Sequence, residues 1–311
     1  MEKIELICED TLRIDSLIAE RTSLSRSRAV KLIEDGYVLV SGNKINKNYK
    51  TKKGDVLSIT IPDAVSLDVK EENIPLDILY EDSDLLVVNK PKGMVVHPAA
   101  GNYNGTLVNA LLSHCGDSLS GINGVLRPGI IHRIDKNTSG LLMVAKNDNA
   151  HNILSKQIKE HSFTREYEAV VYGNIKQDSG SIDAPIGRHP VKRKQMAVTD
   201  KNSKNAVTHF TVLERFGDFT HIRCRLETGR THQIRVHLSY IGHPVAGDDV
   251  YGPKKVITEL NGQCLHAKKV GFIHPNGEFM EFSSELPEYF SKFIQKLSQK
   301  NSYLHKEDFN G

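Results

Sequence analysis

The chain has 311 residues, 39% of them hydrophobic and 25% charged, which suits about two globular domains at roughly 150 residues each and excludes global disorder. No apolar run nears the ~20 residues of a bilayer span, and the start MEKIELICED has no basic stretch followed by an apolar one, so a cytoplasmic protein without membrane contact is expected. A net charge of +3 does not announce a nucleic-acid partner, and four scattered cysteines (Cys8, Cys115, Cys224, Cys264) argue against a disulfide framework or a thiolate zinc site.

Residues 11 to 20 place Leu12, Leu17 and Ile18 at helical spacing, and residues 25 to 35 do the same with Ala29, Val30 and Ile33, between a Ser25 N-cap and a Gly36 terminator. YVLV and DVLSITIP read as short strands around a Ser41-Gly42-Asn43 turn. The expectation is a compact ααβ module over residues 1–62. From Arg21 to Lys53 it carries nine basic residues (Arg21, Arg26, Arg28, Lys31, Lys44, Lys47, Lys50, Lys52, Lys53) against Glu34 and Asp35. That excess marks either a solvated face or an RNA-docking surface, because RNA phosphates are held mainly by Lys and Arg.

Residues 63–75, polar, acidic and ending in proline, read as a linker. From residue 76 short strands dominate: Ile78 to Tyr80, Leu85 to Asn89, Ile130 to His132, Leu141 to Ala145, Phe163 to Tyr172, Val207 to Phe216 and Phe219 to Glu227. Helices are expected at 149–160 and 286–297, and hairpin-length turns such as Phe216-Gly217-Asp218 point to a mostly antiparallel mixed sheet with helices packed on it. The fold class is α+β, with this second domain over 76–298 and a tail over 299–311.

Three segments can carry chemistry. RPGIIHRIDKNTSGLLMVAK (127–146) reads as strand, polar loop and strand, and the loop gathers His132, Arg133, Asp135, Lys136, Asn137, Thr138 and Ser139. A lone carboxylate beside cations stays ionised, so Asp135 is a candidate nucleophile or base, or else a plain turn-former. RLETGRTHQIRVHLSYIGH (225–243) runs from a strand into a helix capped by Thr231 and ended by Gly242, bringing Arg230, His232, Arg235 and His237 to a site suited to a phosphate or a carboxylate. The spacing of His232 and His237 does not fit a zinc helix, and no metal is expected. FTREYEAVVYG (163–173) puts Arg165, Tyr167 and Ala169 on one strand face, where Tyr167 is either packing or an acting hydroxyl. GRHPVKRKQMAVTDKNSK (187–204) reads as a mobile basic hairpin bearing Arg188, Lys192, Arg193 and Lys194. Neither a phosphate loop, nor a GxGxxG, nor a Gly-x-Ser-x-Gly elbow occurs.

Together, HRIDKNTSG (132–140), REY (165–167), RTHQIRVH (230–237) and CLHAKKVGFIHP (264–275) strongly resemble the pseudouridine synthases of the RluA type, in order and spacing. The first 60 residues resemble the small RNA-binding module shared with ribosomal protein S-four. VNKPKGMVVHPAAGNYNGTLVNALL and IGRHPVKRKQMAV bring the chain nearest to the D-type members, which act on large-subunit ribosomal RNA. Ile134 stands where the motif more often has Leu.

The resemblance implies an isomerase that needs no cofactor. It cuts the N-glycosidic bond of a flipped-out uridine, rotates the base and rejoins it through carbon five. Asp135 falls on the catalytic aspartate, acting by covalent attack or by proton removal. Tyr167 falls on the active-site tyrosine, and Arg235 on the arginine paired with Asp135, with Arg230 the second candidate for that pairing. Arg133 would fill the place that the flipped base leaves, and Leu265 would pack against the base. His132, Thr138 and His232 complete the substrate contacts. The implied partner is large-subunit ribosomal RNA or a precursor particle, bound by a monomer. Transfer RNA, or a non-catalytic assembly role, is the alternative.

Overall fold

A computed structural model describes residues 2–22, 24, 26–61, 69–99, 101–116, 118–122, 127–192 and 195–307. The chain divides into two compact units, Met1–Leu67 and Asp68–Gly311. The expected Ser25 cap, the first part of the expected linker, Arg193 and Lys194, and the end of the expected tail lie outside the described residues.

The first unit is β1 (Glu2–Ile7), α1 (Ile14–Arg21), α2 (Arg26–Glu34), β2 (Val38–Val40), β3 (Asn43–Lys44) and β4 (Val56–Ile61). Its sheet order is β1-β4-β2-β3, antiparallel throughout. The opening strand β1 was not foreseen: alternating EKIELI has too few residues to separate strand from loop until β4 offers it a ladder. Alternation in β4 sends Leu57 and Ile59 inward against Ile14, Leu17, Ile18, Leu32 and Val38, a core of this unit's own.

The second unit comprises β5 (Ile78–Glu81), β6 (Leu85–Lys90), α3 (Leu107–Cys115), β7 (Ser139–Ala145), α4 (Asp148–Lys159), β8 (Thr164–Tyr172), β9 (Ser179–Asp183), β10 (Ile186–Arg188), β11 (Met196–Val198), β12 (Val207–Arg215), β13 (Phe219–Leu226), α5 (Gln233–Tyr240), β14 (Leu265–Ile273), β15 (Phe279–Ser283) and α6 (Glu288–Glu307), with a 3-10 turn at Thr258–Leu260. Its main sheet runs β5-β6-β7-β14-β8-β13-β12-β9, with β15 also on β14. All its ladders are antiparallel except β7 with β14. The α+β class and the mostly antiparallel sheet are as expected.

The parallel contact sets the site. Ser139 and Gly140 pair with His266 and Ala267, and a Cβ at Gly140 would stand 2.3 Å from the Ala267 carbonyl oxygen. Only glycine lets the loop ahead of β7 come this close to the strand that begins at Leu265.

Several expectations need correction. Ile130 to His132 is not a strand: Ile130 makes one bridge to Val144, and the next ladder position is occupied by a side chain, the Met143 N–H donating to His132 Nε2 at 3.1 Å. Residues 187–204 do include a hairpin, β10 with β11, but its base is anchored rather than loose. Ile186 is buried, and the Met196 N–H donates to the Tyr251 hydroxyl at 2.9 Å. Helix α6 continues to Glu307, into the stretch read as a tail, because no proline or glycine interrupts it before Gly311. Helix α3, with its capping box of Thr106 and Asn109, was not foreseen.

Among the described residues no helix is long and apolar enough to cross a membrane.

Candidate active site

A cavity of about 430 Å³ opens in the second unit. His132, Arg133, Asp135 and Thr138 line it from the loop before β7, Arg165 and Tyr167 from β8, Arg230, His232 and Arg235 from the turn into α5, and Leu265 from the start of β14. Four segments separated by tens of residues thus converge on one wall system.

Asp135 sits in a turn closed by Thr138 N–H donating to its carbonyl at 3.1 Å. Its Oδ2 accepts from Arg235 Nη1 at 2.9 Å, and its Oδ1 stands 3.9 Å from His232 Nε2, leaving Oδ1 the less occupied oxygen. The side chain is 17% exposed, open to the cavity. Arg235 is the expected partner. Arg230, the second candidate, instead donates from Nε to the Asn205 carbonyl at 2.9 Å, because its side chain leaves the turn on the side facing Asn205.

Arg235 is itself held by a residue that sequence reasoning missed. Its Nε and Nη2 donate to Asp248 Oδ2 and Oδ1 at 2.6 and 2.9 Å, a bidentate pair in which Asp248 is 1% exposed. Asp248 Oδ1 also accepts the Val250 and Tyr251 N–H groups at 2.9 and 3.0 Å. Burial alone would lower the Arg235 pKa, but the bonds and charge of Asp248, with the charge of Asp135, hold it above its ordinary value. Burial pushes Asp248 up, and the Arg235 bonds and charge with the two amides overcome that and leave it below the carboxylate range. The guanidinium is therefore a fixed strut between two carboxylates. Asp248 lies in GDDVYG, between the runs 225–243 and 264–275, where neither residue type nor spacing marks a site.

The turn into α5 differs from the reading of Thr231 as cap. The N-cap position is His232 in the left-handed region, φ 58°, without a side-chain cap bond. The turn is closed by Gln233, whose Oε1 accepts from the Thr228 hydroxyl and the Arg230 N–H at 2.8 and 2.9 Å, while its Nε2 donates to the Val207 carbonyl at 3.0 Å. The strained backbone aims the His232 ring at Asp135. The Tyr251 hydroxyl accepts the Met196 N–H and bonds His232 Nδ1 at 2.8 Å, holding the ring with Nε2 on the Asp135 side. Burial, ahead of the opposing pull of Asp135, lowers the His232 pKa.

Tyr167 is buried, and burial, with the Asp135 charge behind it, raises its hydroxyl pKa while Arg165 opposes. Leu265 is buried on the same wall. His132 is part of the frame: its ring nitrogen replaces a ladder acceptor, and burial, then the Arg165 charge, pushes its pKa down to about 3. Thr138 accepts from Gln263 Nε2 at 3.0 Å, tying the loop to the segment before Leu265. Arg133 is exposed at the rim.

Two lysines of the run NKPKG brace the loops on either side and were not singled out. Lys90, 0% exposed, donates to the carbonyls of Pro91, Met94 and Lys136 at 2.8, 2.8 and 3.2 Å. Burial takes its pKa down to about 7. Lys92 donates to the carbonyls of Leu260, Gly262 and Gln263 at 2.7, 3.2 and 3.0 Å.

In the first unit the basic residues are less free than the charge count implied. Arg26 Nε pairs with buried Asp15 at 2.8 Å, Lys47 with Glu34 at 2.7 Å, and Arg21 lies 3.7 Å from Asp10. Lys31 and Lys44 are exposed, and the Arg28 side chain lies outside the described residues. Arg188 and Lys192 are exposed on the hairpin.

Comparison with known proteins agrees with this architecture. The family model for RNA pseudouridylate synthase matches residues 84–240, and that for the S4 domain matches residues 12–57. The uncharacterized RNA pseudouridine synthase YlyB of Bacillus subtilis is 57% identical over 92% of this chain and 94% of its own. The ribosomal large subunit pseudouridine synthase D of Zymomonas mobilis is 47% identical over 93% of this chain and 95% of its own. The solved structure of human RNA Pseudouridylate Synthase Domain Containing 1 is 26% identical, with a TM-score of 0.56, over 73% of this chain and 96% of that one.

Proposed function

The chain belongs to the RNA pseudouridine synthase family, with an S4 domain ahead of the synthase domain, and we propose that it isomerises uridines of large-subunit ribosomal RNA. The substrate reading rests on the relatives named ribosomal large subunit pseudouridine synthase D, which match over nearly the whole chain, and on the exposed basic residues of the first unit and of the hairpin.

The observation that carries the mechanism is the Asp135–Arg235–Asp248 strut. Arg235 occupies Asp135 Oδ2 and leaves Oδ1 toward the cavity. Oδ1 is the oxygen that meets the ribose, whether it adds to C1′ as N1 departs or removes the proton from C2′. Either way the electron pair of the broken C1′–N1 bond goes to the uracil. The base turns and C5 bonds C1′ as the Oδ1–C1′ bond breaks, or, on the other route, as the proton held by Asp135 returns to C2′; the C5 proton is then lost while N1 gains one, so no oxidant is consumed. Tyr167 lies where the turning base would stack, and its buried hydroxyl, kept protonated by burial, takes up the C5 proton only as it hands its own on, as a relay. The base reaches the cavity only if flipped from its stack, and Arg133, exposed and lining the cavity, would fill the gap it leaves.

The direct test is tritium release from carbon five of uracil in transcribed large-subunit ribosomal RNA. The wild-type protein should release it and Asp135→Asn should not, with RNA affinity nearly unchanged. Substantial turnover by Asp135→Asn would refute the role given to that carboxylate. Release from transfer RNA alone would replace the substrate.

A further inference from the structure

Arg165 is a charged side chain, 5% exposed, in the wall of the cavity, and no carboxylate of the described residues pairs with it. Its Nη2 donates to the Glu227 carbonyl at 3.3 Å, and its buried Nε has no partner. Arg235 in the same wall has two carboxylates, so the contrast is within one site. Arg133, Lys159, Arg230 and Arg235 also line the cavity, and of these Arg230 is the one whose charge acts on Arg165. Burial and the Arg230 charge both work against protonated Arg165, and the nearby Tyr167 works the other way. A guanidinium sealed beside like charge is costly unless an anion joins it.

The backbone makes room for that geometry at Gly229. A Cβ there would lie 2.6 Å from Arg165 Nη1, the end of a flexible side chain rather than backbone. Gly229 is thus compatible with alanine as regards folding, but alanine would push the guanidinium out of its seat.

We propose that Arg165, seated by Gly229 with Arg230 nearby, anchors a backbone phosphate of the nucleotide whose base enters the cavity. This rests on RNA being the substrate. A phosphate supplies the missing charge and suits the forked donor, whereas a base carbonyl would leave the charge uncompensated. Arg165 and Tyr167 are two residues apart on β8 and face the same side, roughly 7 Å along the strand. A phosphate held at one leaves the base of the same nucleotide over the other. The anchor would make the flipped state favourable before any bond breaks, by holding the backbone on one side of the base while Asp135 faces its sugar.

The experiment compares Arg165→Met and Gly229→Ala, singly and together, in a catalytically silent Asp135→Asn background, by titrating a transcribed large-subunit RNA fragment at several salt concentrations. Loss of one single-strand phosphate contact should reduce the slope of log Kd against log salt by about 0.7. Gly229→Ala should act in the same direction and add nothing once Arg165 is methionine, because the clash it creates is then gone. With Asp135 restored, the same variants should raise KM more than they lower kcat. An unchanged salt slope with a lowered kcat would put the guanidinium on the base or on Tyr167 and overturn the proposal. So would a Gly229→Ala loss that persists undiminished beside Arg165→Met. Tritium release by the unmodified enzyme is read in parallel: its absence would strike the functional reading, while the salt slope still decides on Arg165.

Discussion

Asp248 makes no contact with the ribose in the mechanism above, yet Asp248→Ala should be among the most damaging single substitutions. It removes both bonds of a bidentate pair, at 2.6 and 2.9 Å, and strands a buried guanidinium with Asp135 as its one counter-ion. Breaking one side of a buried pair costs about 3–5 kcal/mol. At about 2–4 °C per kcal/mol for a domain of this size, the melting temperature should fall by roughly 6–20 °C. Asp248→Asn separates charge from shape: it keeps an acceptor for Arg235 but gives up one charge-assisted bond, worth about 1.5–3 kcal/mol. If that loss reaches the transition state through a misaimed Asp135, the rate falls about 10- to 150-fold, a decade per 1.36 kcal/mol. The assay is single-turnover tritium release with saturating enzyme, so that RNA binding does not enter, alongside thermal unfolding. Asp248→Asn should melt about 3–12 °C below wild type, less of a fall than Asp248→Ala, and react much more slowly. A rate within twofold of wild type would show that Arg235 is aimed without Asp248, and the strut would lose its mechanistic meaning.

Tyr167→Phe keeps the stacking ring and removes the hydroxyl relay for the C5 proton, so single-turnover release should drop by about 100-fold or more; full activity would leave the tyrosine a packing role. Stability should fall in acid. Burial lowers His132 to about 3 and His97 and His266 to about 4, so between the ordinary 6.5 and those values the unfolded chain binds protons that the native chain refuses. The slope is up to about 1.4 kcal/mol per pH unit for each histidine, with stability rising toward neutral pH. Chemical denaturation at pH 7 and pH 5 reads it, and a flat profile would contradict the neutral His132 that accepts from Met143. Removing residues 1–62 should weaken binding to long RNA and shallow its salt dependence, the more so because Lys31 and Lys44 carry no acidic partner among the described residues. An unaltered slope would take the first unit out of RNA docking.

Elements with strong periodicity and turn chemistry were legible without coordinates. The apolar stripe Phe290, Phe293 and Leu297, the alternation around Leu57 and Ile59, and Gly242 ending α5 are local patterns, and each appears where the spacing put it. The loop of Asp135, the strand face of Tyr167 and the arginine-bearing helix were legible for the same reason: each is a short run of unusual residue types. Ile130 to His132 misled because an apolar run looks alike whether its neighbour offers backbone or a side chain, and here His132 Nε2 takes the place of a ladder acceptor.

The choice between Arg235 and Arg230 as partner of Asp135 was different in kind. Asp135 and Arg235 are 100 residues apart and meet at 2.9 Å only because β7, β8 and α5 bring their loops to one rim, and Arg230, five residues away on the same turn, faces Asn205. Asp248, Lys90 and Lys92 had no local signature at all, since a buried carboxylate or ammonium is recognisable only by the partners folded around it. Residue types and their spacing carried the chemistry available to this chain. Which charge faces which, and which one faces the cavity unpaired, was decided by packing, because electrostatic pairing depends on distance in space and burial rather than on distance along the chain.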